Sequence, residues 1–296
     1  MNLKIWFLET RPQFLLLSVV LAFLGTSIAW YDGAFYLGYA LLAFIGLLLT
    51  HISVDTLNDY FDYKSGIDLE TKRTPFSGGS GMLPADLLKP RQVLWFGLAS
   101  LLLAVPIGVY FVMTLNRGWL LLPLLLIAAV CILVYTPFIL KTRWPEWAAG
   151  LGLGTLPILG AYFVQTVTYL PVLVASIPSG ILVHNLLLLN EFPDVEADKK
   201  AGRKTLPIIL GRAKAGKVYA ALTVLVYLWI IGGVAAGLMP VFSLLALLTL
   251  PFAIKAIRGA LHPEEMSKLV PAMANNVLVV LLTQLLMGVG YLLAEA

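Results

Sequence analysis

Long apolar runs separated by short polar segments dominate this chain of 296 residues. A transmembrane helix needs about 20 mostly apolar residues to cross a bilayer. Runs without Asp, Glu, Lys or Arg that come close to or exceed this length predict one span each over residues 14–31, 33–54, 92–116, 118–140 and 269–294.

Two further uncharged runs are too long for a single crossing. The run over 147–190 predicts a helical hairpin with its turn near 166–171. The run over 218–254 predicts a second hairpin, whose turn is Gly237-Leu-Met-Pro240, because Gly and Pro favour turns. The pattern therefore predicts an all-α polytopic membrane protein, in which nine transmembrane helices form one domain over residues 1–296.

The composition supports a membrane protein. Hydrophobic residues make up 60% of the chain and charged residues only 12%, whereas soluble domains carry about 25% charged residues. With the N-terminus in the cytoplasm, every Lys and Arg except Arg117 falls on the cytoplasmic side, as the positive-inside rule requires. This topology explains the net charge of +4, so the sequence predicts contact with membrane lipid and no nucleic-acid partner.

Two long cytoplasmic loops stand out, over residues 62–91 and 191–217. They follow the second and sixth predicted spans, so we expect them to lie on one face of the bundle and to cap a shared site. Asn58 and Asn190 occupy equivalent places before these loops. This correspondence predicts two parallel four-helix halves, a repeat arrangement known in membrane proteins, with a ninth helix added.

Asn and Asp residues recur at helical spacing before and within both loops. Asn58 and Asp62 are four residues apart and share a helix face; His51 and Asp55 lie deeper on the same face. The second loop repeats the spacing with three residues, Asn190, Asp194 and Asp198.

A single Asp just past a membrane span is usually a solvated helix end. Two matched clusters favour a functional site, because ionisable groups near membrane depth are costly. Several converging carboxylates would also repel each other unless a cation lies between them. Mg²⁺ prefers oxygen ligands and often binds through one or two carboxylates together with substrate phosphates. The lone Cys131 and the scattered histidines argue against zinc.

Basic residues surround the same predicted site, and the positive-inside rule accounts for most of them individually. They are Lys72, Arg73, Lys141, Arg143, Lys199, Lys200, Arg203 and Lys204. The alternation of acids and bases over 194–204 favours a site that holds metal ions together with a polyanion. The glycine-rich segment over 77–81 is either a phosphate-binding loop or a plain flexible one.

The two acidic segments resemble the motifs of the UbiA superfamily of intramembrane prenyltransferases. Asn58-Asp-Tyr-Phe-Asp62 is similar to the first motif, and Asp194-Val-Glu-Ala-Asp198 to the second. Arg11-Pro12 and the segment from Tyr135 to Lys141 also match family features. The first motif looks most similar to the MenA-type branch, which prenylates dihydroxynaphthoate. Many members carry a further Asp where this chain has Gly66, and the next acid here is Asp68.

The resemblance implies Mg²⁺-dependent transfer of a prenyl chain from a polyprenyl diphosphate, such as geranylgeranyl diphosphate, to a lipophilic acceptor. The metal ligands it implies are Asn58, Asp62, Asp68, Asn190, Asp194 and Asp198. The diphosphate-binding residues it implies are Arg11, Lys72, Arg73, Tyr135, Lys141, Lys200 and Arg203. Asp59, Asp62, Asp194 and Asp198 are candidate catalytic residues; Asp59, Asp194 and Asp198 are candidates for receiving the proton that the acceptor loses. Tyr60, Phe61 and Tyr135 are candidates for stabilising the allylic cation.

Three alternatives remain at this point. Prenyl transfer to a glycerol-phosphate lipid would use the same diphosphate site. A membrane transporter would instead line a path with intramembrane polar residues, but here the charges gather at one face. A membrane-embedded scaffold would explain the helices and leave the paired acidic segments without a role.

Overall fold

The computed structural model describes residues 2–71, 73–166 and 170–295. Over these residues the secondary structure is helical, and no strand occurs. The α-helices are α1 (Leu3–Glu9), α2 (Pro12–Tyr31), α3 (Leu37–Ser65), α4 (Ile67–Glu70), α5 (Pro90–Thr114), α6 (Leu121–Leu133), α7 (Glu146–Ala149), α8 (Leu156–Phe163), α9 (Leu170–Asn190), α10 (Val195–Lys200), α11 (Leu206–Leu210), α12 (Arg212–Ala235), α13 (Leu250–Ala260) and α14 (Met266–Glu295). A 3₁₀ helix over Val241–Thr249 leads into α13.

Within the described ranges, seven helices are long and apolar enough to cross a membrane. They are Pro12–Tyr31, Leu37–Ser65, Pro90–Thr114, Pro171–Asn190, Arg212–Ala235, Val241–Ala260 and Met266–Ala294. The protein is therefore a multi-pass membrane protein. The predicted count of nine is not confirmed, because the segments predicted as the fourth and fifth spans form shorter helices.

The fourth predicted span, over 118–140, is helical only over Gly118–Leu133. The chain then passes through turns to a short 3₁₀ helix at Ile139–Lys141. Pro137 accounts for the early end, since proline lacks a backbone donor and its ring disfavours helical geometry in the residue before it. The turns leave Tyr135 and Thr136 buried, and Thr136 accepts a hydrogen bond from Asn58 near the end of α3.

The fifth predicted span is helical over residues 146–163 but is interrupted by a π-helical stretch at Gly150–Thr155. Glycines bring this stretch into backbone contact with α9. A Cβ added to Gly150 would lie 2.6 Å from the carbonyl oxygen of Gly180, and a Cβ added to Gly154 would lie 2.7 Å from the Cα of Gly180. Larger residues at either position would separate the two helices. The predicted turn near 166–171 falls largely on residues 167–169, outside the described residues.

The second predicted hairpin turn is confirmed. Helix α12 ends at Ala235 and the next helix begins at Val241, and Gly237 between them has a φ of +69° that favours glycine.

Contacts at the two ends of the bundle establish how the helices alternate. At one end, the backbone N–H of Tyr36 donates to Gln165 Oε1 at 2.7 Å, and Tyr162 hydrogen-bonds with Asp32. These two hydrogen bonds join the end of α2, the start of α3 and the end of α8. The far ends of α3 and α9 therefore share the opposite end of the bundle, where both acidic segments lie.

Candidate active site

The first acidic segment occupies the last turns of α3. Helix α3 ends at Ser65, and Gly66 follows with a φ of +84° that terminates the helix. Asp55, Asn58 and Asp62 all line a cavity of about 320 Å³ inside the bundle. The Asn58 amide donates to Thr136 Oγ1 at 3.1 Å, so the turns after α6 help to orient this side chain.

Asp59 lies outside the cavity lining, against the glycine-rich segment. The backbone N–H of Ser80 donates to Asp59 Oδ2 at 2.7 Å, and the Ser80 hydroxyl donates to Glu9 Oε2 at 2.7 Å. Arg73 holds the same segment from the other side, donating to the carbonyl oxygens of Gly79 at 3.2 Å and Ser80 at 2.5 Å. The Ser80 amide is therefore already engaged by Asp59, and Arg73 by the loop.

The second acidic segment follows the end of α9. Asn190, Asp194 and Asp198 all line the cavity. Asp194 precedes the first residue of α10, and its Oδ1 has no hydrogen-bond partner although it is buried. Asn190 Oδ1 is buried without a partner as well. Since buried polar atoms normally have partners, these two oxygens are free to accept a ligand.

Arg203 joins the two acidic segments. Its Nη1 donates to Asp198 Oδ1 at 2.8 Å, and its Nη2 pairs with Asp62. A guanidinium carries its donors in a rigid fork, so it can hold two carboxylates at a defined separation. Burial alone would lower the pKa of Arg203, but the two carboxylates outweigh burial and raise it. Side chains that lie far apart in sequence thus form one site.

The carboxyl groups of this site lack enough nearby positive charge to stabilise their ionised forms. Burial, together with nearby Asp62 and Asp59, raises the pKa of Asp68 to about 8. Burial, reinforced by Asp198, raises the pKa of Asp194 to about 7. Burial also raises the pKa of Asp198 despite its pairing with Arg203. Arg203 lowers the pKa values of all three carboxyl groups and Arg11 that of Asp68, yet burial outweighs both guanidinium groups, so an additional cation would stabilise the charged forms.

Arg11 reaches the cavity from the chain segment before α2. It adopts a left-handed backbone conformation with a φ of +50°, which non-glycine residues rarely adopt. Its guanidinium carbon lies 4.6 Å from the centroid of the Phe14 ring, and its buried Nε lacks a hydrogen-bond partner. Strained residues of this kind concentrate at functional sites.

The other predicted diphosphate-binding residues are placed differently. Tyr135 lines the cavity, and its buried hydroxyl has no partner. Lys200 lies at the surface, where its Nζ pairs with Glu70 at 2.5 Å. Lys141 is exposed and does not line the cavity. Lys72 lies outside the described residues.

Of the three aromatic candidates for stabilising a cation, Tyr135 alone lines the cavity. The rings of Tyr60 and Phe61 pack edge to face with centroids 5.2 Å apart, away from the cavity lining.

Buried acids outside the set predicted from the sequence also surround the site. Glu191 lines the cavity, and burial together with Glu146 raises its pKa well above the usual value. Glu146 is fully buried, and its Oε1 accepts the backbone N–H of Leu206 at 2.5 Å. Glu9 is also fully buried. The feature of the sequence that could have identified Glu191 is its position directly after Asn190.

The donor set fits Mg²⁺. The unpartnered oxygens of Asn190 and Asp194, with the cavity-lining carboxylates of Asp62 and Asp68, are the hard oxygen ligands that Mg²⁺ prefers. Among the described residues, no three His, Cys, Asp or Glu side chains form a preassembled metal cluster. This arrangement agrees with a metal bound jointly by one or two carboxylates and substrate phosphates.

Below the acidic segments the cavity becomes apolar. Its walls come mainly from α3, α5, α6 and α8, and it extends as far as Phe111, Leu121 and Val164. Val164 lies next to Gln165, which contacts Tyr36 at the opposite end of the bundle. The cavity therefore combines a charged end with a long apolar interior, as required for a molecule that has an anionic head and a hydrocarbon tail.

Comparison with known proteins agrees with this geometry. The model of the UbiA prenyltransferase family matches residues 16–287, and the chain belongs to this family. The 1,4-dihydroxy-2-naphthoate octaprenyltransferase of Bacillus subtilis is 31% identical over 294 aligned residues, covering 96% of this chain and 91% of that protein. The protein is therefore a prenyltransferase, and the predicted family and enzyme class are confirmed.

Solved structures share the fold. A UbiA homolog from Aeropyrum pernix, in its apo form, has a TM-score of 0.72 at 17% identity, covering 94% of this chain and 97% of that one. A UbiA homolog from Archaeoglobus fulgidus, bound to GPP and Mg²⁺, has a TM-score of 0.64 at 14% identity, covering 97% and 99%.

Proposed function

We propose that this protein transfers a prenyl chain from a polyprenyl diphosphate to a dihydroxynaphthoate-type aromatic acceptor within the membrane, with Mg²⁺ as cofactor. The observation that carries the proposal is the meeting of both acidic segments, through Arg203, at the charged end of an otherwise apolar cavity. The similar structure from Archaeoglobus fulgidus binds GPP and Mg²⁺, which supports the same ligand pair here.

The charged end of the cavity holds the diphosphate in this proposal. Asn58, Asp62, Asp68, Asn190, Asp194 and Asp198 provide the metal ligands. When bound, Mg²⁺ neutralises the negative charge that develops on the departing diphosphate. Arg11 adds a fixed positive charge to the cavity wall, and the Tyr135 hydroxyl is available to donate a hydrogen bond. These groups act most strongly as the allylic C–O bond breaks, which is when they lower the barrier.

Arg203 has an organising role in this proposal. It fixes the spacing between Asp62 and Asp198, so that ligands from the two segments face each other before substrate arrives. Preorganised charges cost no reorganisation at the moment of reaction.

The apolar part of the cavity takes the prenyl tail and excludes water from the cation. Leu47, Ile107 and Leu125 are among its walls. An allylic cation formed at the charged end then meets the acceptor rather than solvent. Long tails would continue into the bilayer between the helices.

The acceptor class comes from similarity to the Bacillus subtilis enzyme, which is named for 1,4-dihydroxy-2-naphthoate. We also propose that the N-terminus and both acidic segments face the cytoplasm, because this orientation places all basic residues except Arg117 inside.

A panel of acceptors tests the proposal. The purified protein, in detergent or liposomes with Mg²⁺ and geranylgeranyl diphosphate, is offered 1,4-dihydroxy-2-naphthoate, 4-hydroxybenzoate and geranylgeranylglyceryl phosphate separately. Mass spectrometry should detect a prenylated product with the naphthoate and far less with the others. A product formed only with the glycerol-phosphate lipid would overturn the proposed acceptor.

A further inference from the structure

Three polar side chains lie deeper in the bundle than the acidic segments. His51 and Asp55 project from the middle of α3, and Ser18 faces them from α2. The Ser18 hydroxyl lies 2.8 Å from His51 Nδ1, and His51 Nε2 lies 3.8 Å from Asp55 Oδ2. Ser18 and Asp55 both line the cavity, while His51 is buried behind them with 3% of its surface exposed.

Polar side chains in this part of the cavity indicate that it binds a ligand. The nearby wall is mainly apolar, with Leu21, Leu47 and Val54, and the Arg11 guanidinium is the positive charge that acts on His51 and Asp55. His51 has Ser18 as a hydrogen-bond partner, but the buried Asp55 Oδ2 has none, because 3.8 Å to His51 is too long. An ionisable group without a full set of partners at membrane depth is costly and usually functional.

The depth of Asp55 separates it from the diphosphate region. Asp55 precedes Asp62 by two helical turns, which corresponds to about 10 Å along the axis of α3. It precedes Asn58 by one turn, about 5 Å. A flat ring system located between the prenyl diphosphate and Asp55 would therefore have one edge near the reacting carbon and the other near this carboxylate.

We propose that Asp55 is the acceptor-binding residue of this enzyme and accepts a hydrogen bond from a hydroxyl group on the aromatic acceptor. His51 and Ser18 are positioning residues that limit the orientations of the Asp55 side chain. The assignment rests on the proposed aromatic acceptor and adds the residue that recognises it.

The chemistry predicts a specific preference. A phenol-type hydroxyl can donate to a carboxylate, whereas its methyl ether cannot and would leave the carboxylate buried without a partner. A site built to hydrogen-bond a hydroxyl discriminates strongly against an analogue that lacks the donor. Hydrogen bonds to charged groups correspond to about 10- to 100-fold in binding or rate.

The test compares 1,4-dihydroxy-2-naphthoate with its two monomethyl ethers, using wild-type protein and the variants Asp55→Leu and Asp55→Asn. Two variants are used because one can fail to fold; Asn retains the polarity and shape of Asp, while Leu removes the acceptor oxygen. Thr56→Val is the matched control, since Thr56 is buried on the same turn, bonds only to backbone carbonyls of its own helix and does not line the cavity.

For each protein, kcat/KM is measured for every acceptor, together with Mg²⁺-dependent binding of geranylgeranyl diphosphate. We expect Asp55→Leu to lose about 10- to 100-fold in kcat/KM for the naphthoate, with unchanged diphosphate binding. Its loss with one of the methyl ethers should be much smaller, so that discrimination between the free hydroxyl and that ether collapses. His51→Gln should raise the KM for the naphthoate, and Thr56→Val should match wild type.

The outcomes separate this assignment from the proposed function. Normal wild-type turnover with undiminished discrimination in Asp55→Leu and Asp55→Asn would overturn the role of Asp55 alone. Equal losses with the naphthoate and both ethers, or loss of diphosphate binding, would show a structural role and also overturn it. Failure of the wild-type protein to prenylate the naphthoate would overturn the proposed acceptor, and this assignment with it.

Discussion

Replacing Arg203 by lysine tests how the two acidic segments are held together. The arginine makes one charge-assisted hydrogen bond to Asp198 and one to Asp62, and the Arg203 and Asp62 side chains are each only 12% exposed. Lysine keeps the positive charge but lacks the planar fork, so it cannot hold both carboxylates at the same separation. We expect Arg203→Lys to weaken the site without removing its charge.

The size of the effect follows from these contacts. Losing one hydrogen bond between charged groups costs about 1.5–3 kcal/mol, and about 1.4 kcal/mol corresponds to a factor of ten. We therefore predict that kcat/KM for the prenyl diphosphate falls about 10- to 100-fold in Arg203→Lys. Arg203→Ala should lose more, because it leaves two buried carboxylates uncompensated.

Release of diphosphate is measured at saturating acceptor while Mg²⁺ and prenyl diphosphate are varied. Arg258→Lys is the matched control, because Arg258 is exposed near the end of α13 and lies in none of the ion pairs found among the described residues. Wild-type kinetics in Arg203→Lys would refute an organising role for the guanidinium. Equal losses in both variants would show that the effect arises from general basic charge.

Three further predictions address other parts of the structure. Burial, with nearby Asp59, raises the pKa of Glu9 from 4.5 to about 8. Between these two pH values the folded protein keeps a proton that the unfolded chain has lost. The free energy of unfolding should therefore fall as the pH rises through this range. Glu9→Gln should make the unfolding temperature of metal-free protein less dependent on pH, and an unchanged slope would contradict this. In a cysteine-free background, Ser65→Cys should react with an impermeant reagent only from the cytoplasm and Asn116→Cys only from outside; the reverse would overturn the orientation. A Cβ on Gly160 would enter open space in the cavity, so Gly160→Phe should shift preference towards shorter prenyl diphosphates relative to Gly232→Phe, and an unchanged preference would place the tail elsewhere.

The spans and the acidic segments could be predicted because each depends on local sequence. Most apolar runs of bilayer length form helices long enough to span the bilayer, although the fourth and fifth predicted spans form shorter helices. The four-residue spacing of Asn58 and Asp62 places both on one helix face, and the structure shows both lining the cavity. The helix after residue 118 was predicted too long because apolar character continues past Leu133, although Pro137 already signals its end.

Most of the ion pairs and hydrogen bonds between residues distant in the sequence could not be predicted. In the proposed orientation every basic residue on this face satisfies the positive-inside rule. Charge alone therefore does not distinguish Arg203, which joins both acidic segments, from Lys200, which pairs with Glu70 at the surface. Asp59 sits within the first motif, yet its contact with Ser80 depends on how the glycine-rich segment folds back. These distinctions arise from tertiary packing.

In the proposed function, both acidic segments form a single Mg²⁺-dependent site for prenyl diphosphate. The most direct test is binding of geranylgeranyl thiodiphosphate, a slowly reacting analogue, to wild-type protein, Asp62→Asn and Asp194→Asn, with Mg²⁺ and with EDTA. Wild-type binding should require Mg²⁺, and each substitution alone should remove most of this dependence while the protein stays folded. Mg²⁺-dependent binding of wild-type strength in either variant would contradict a single site built from both segments.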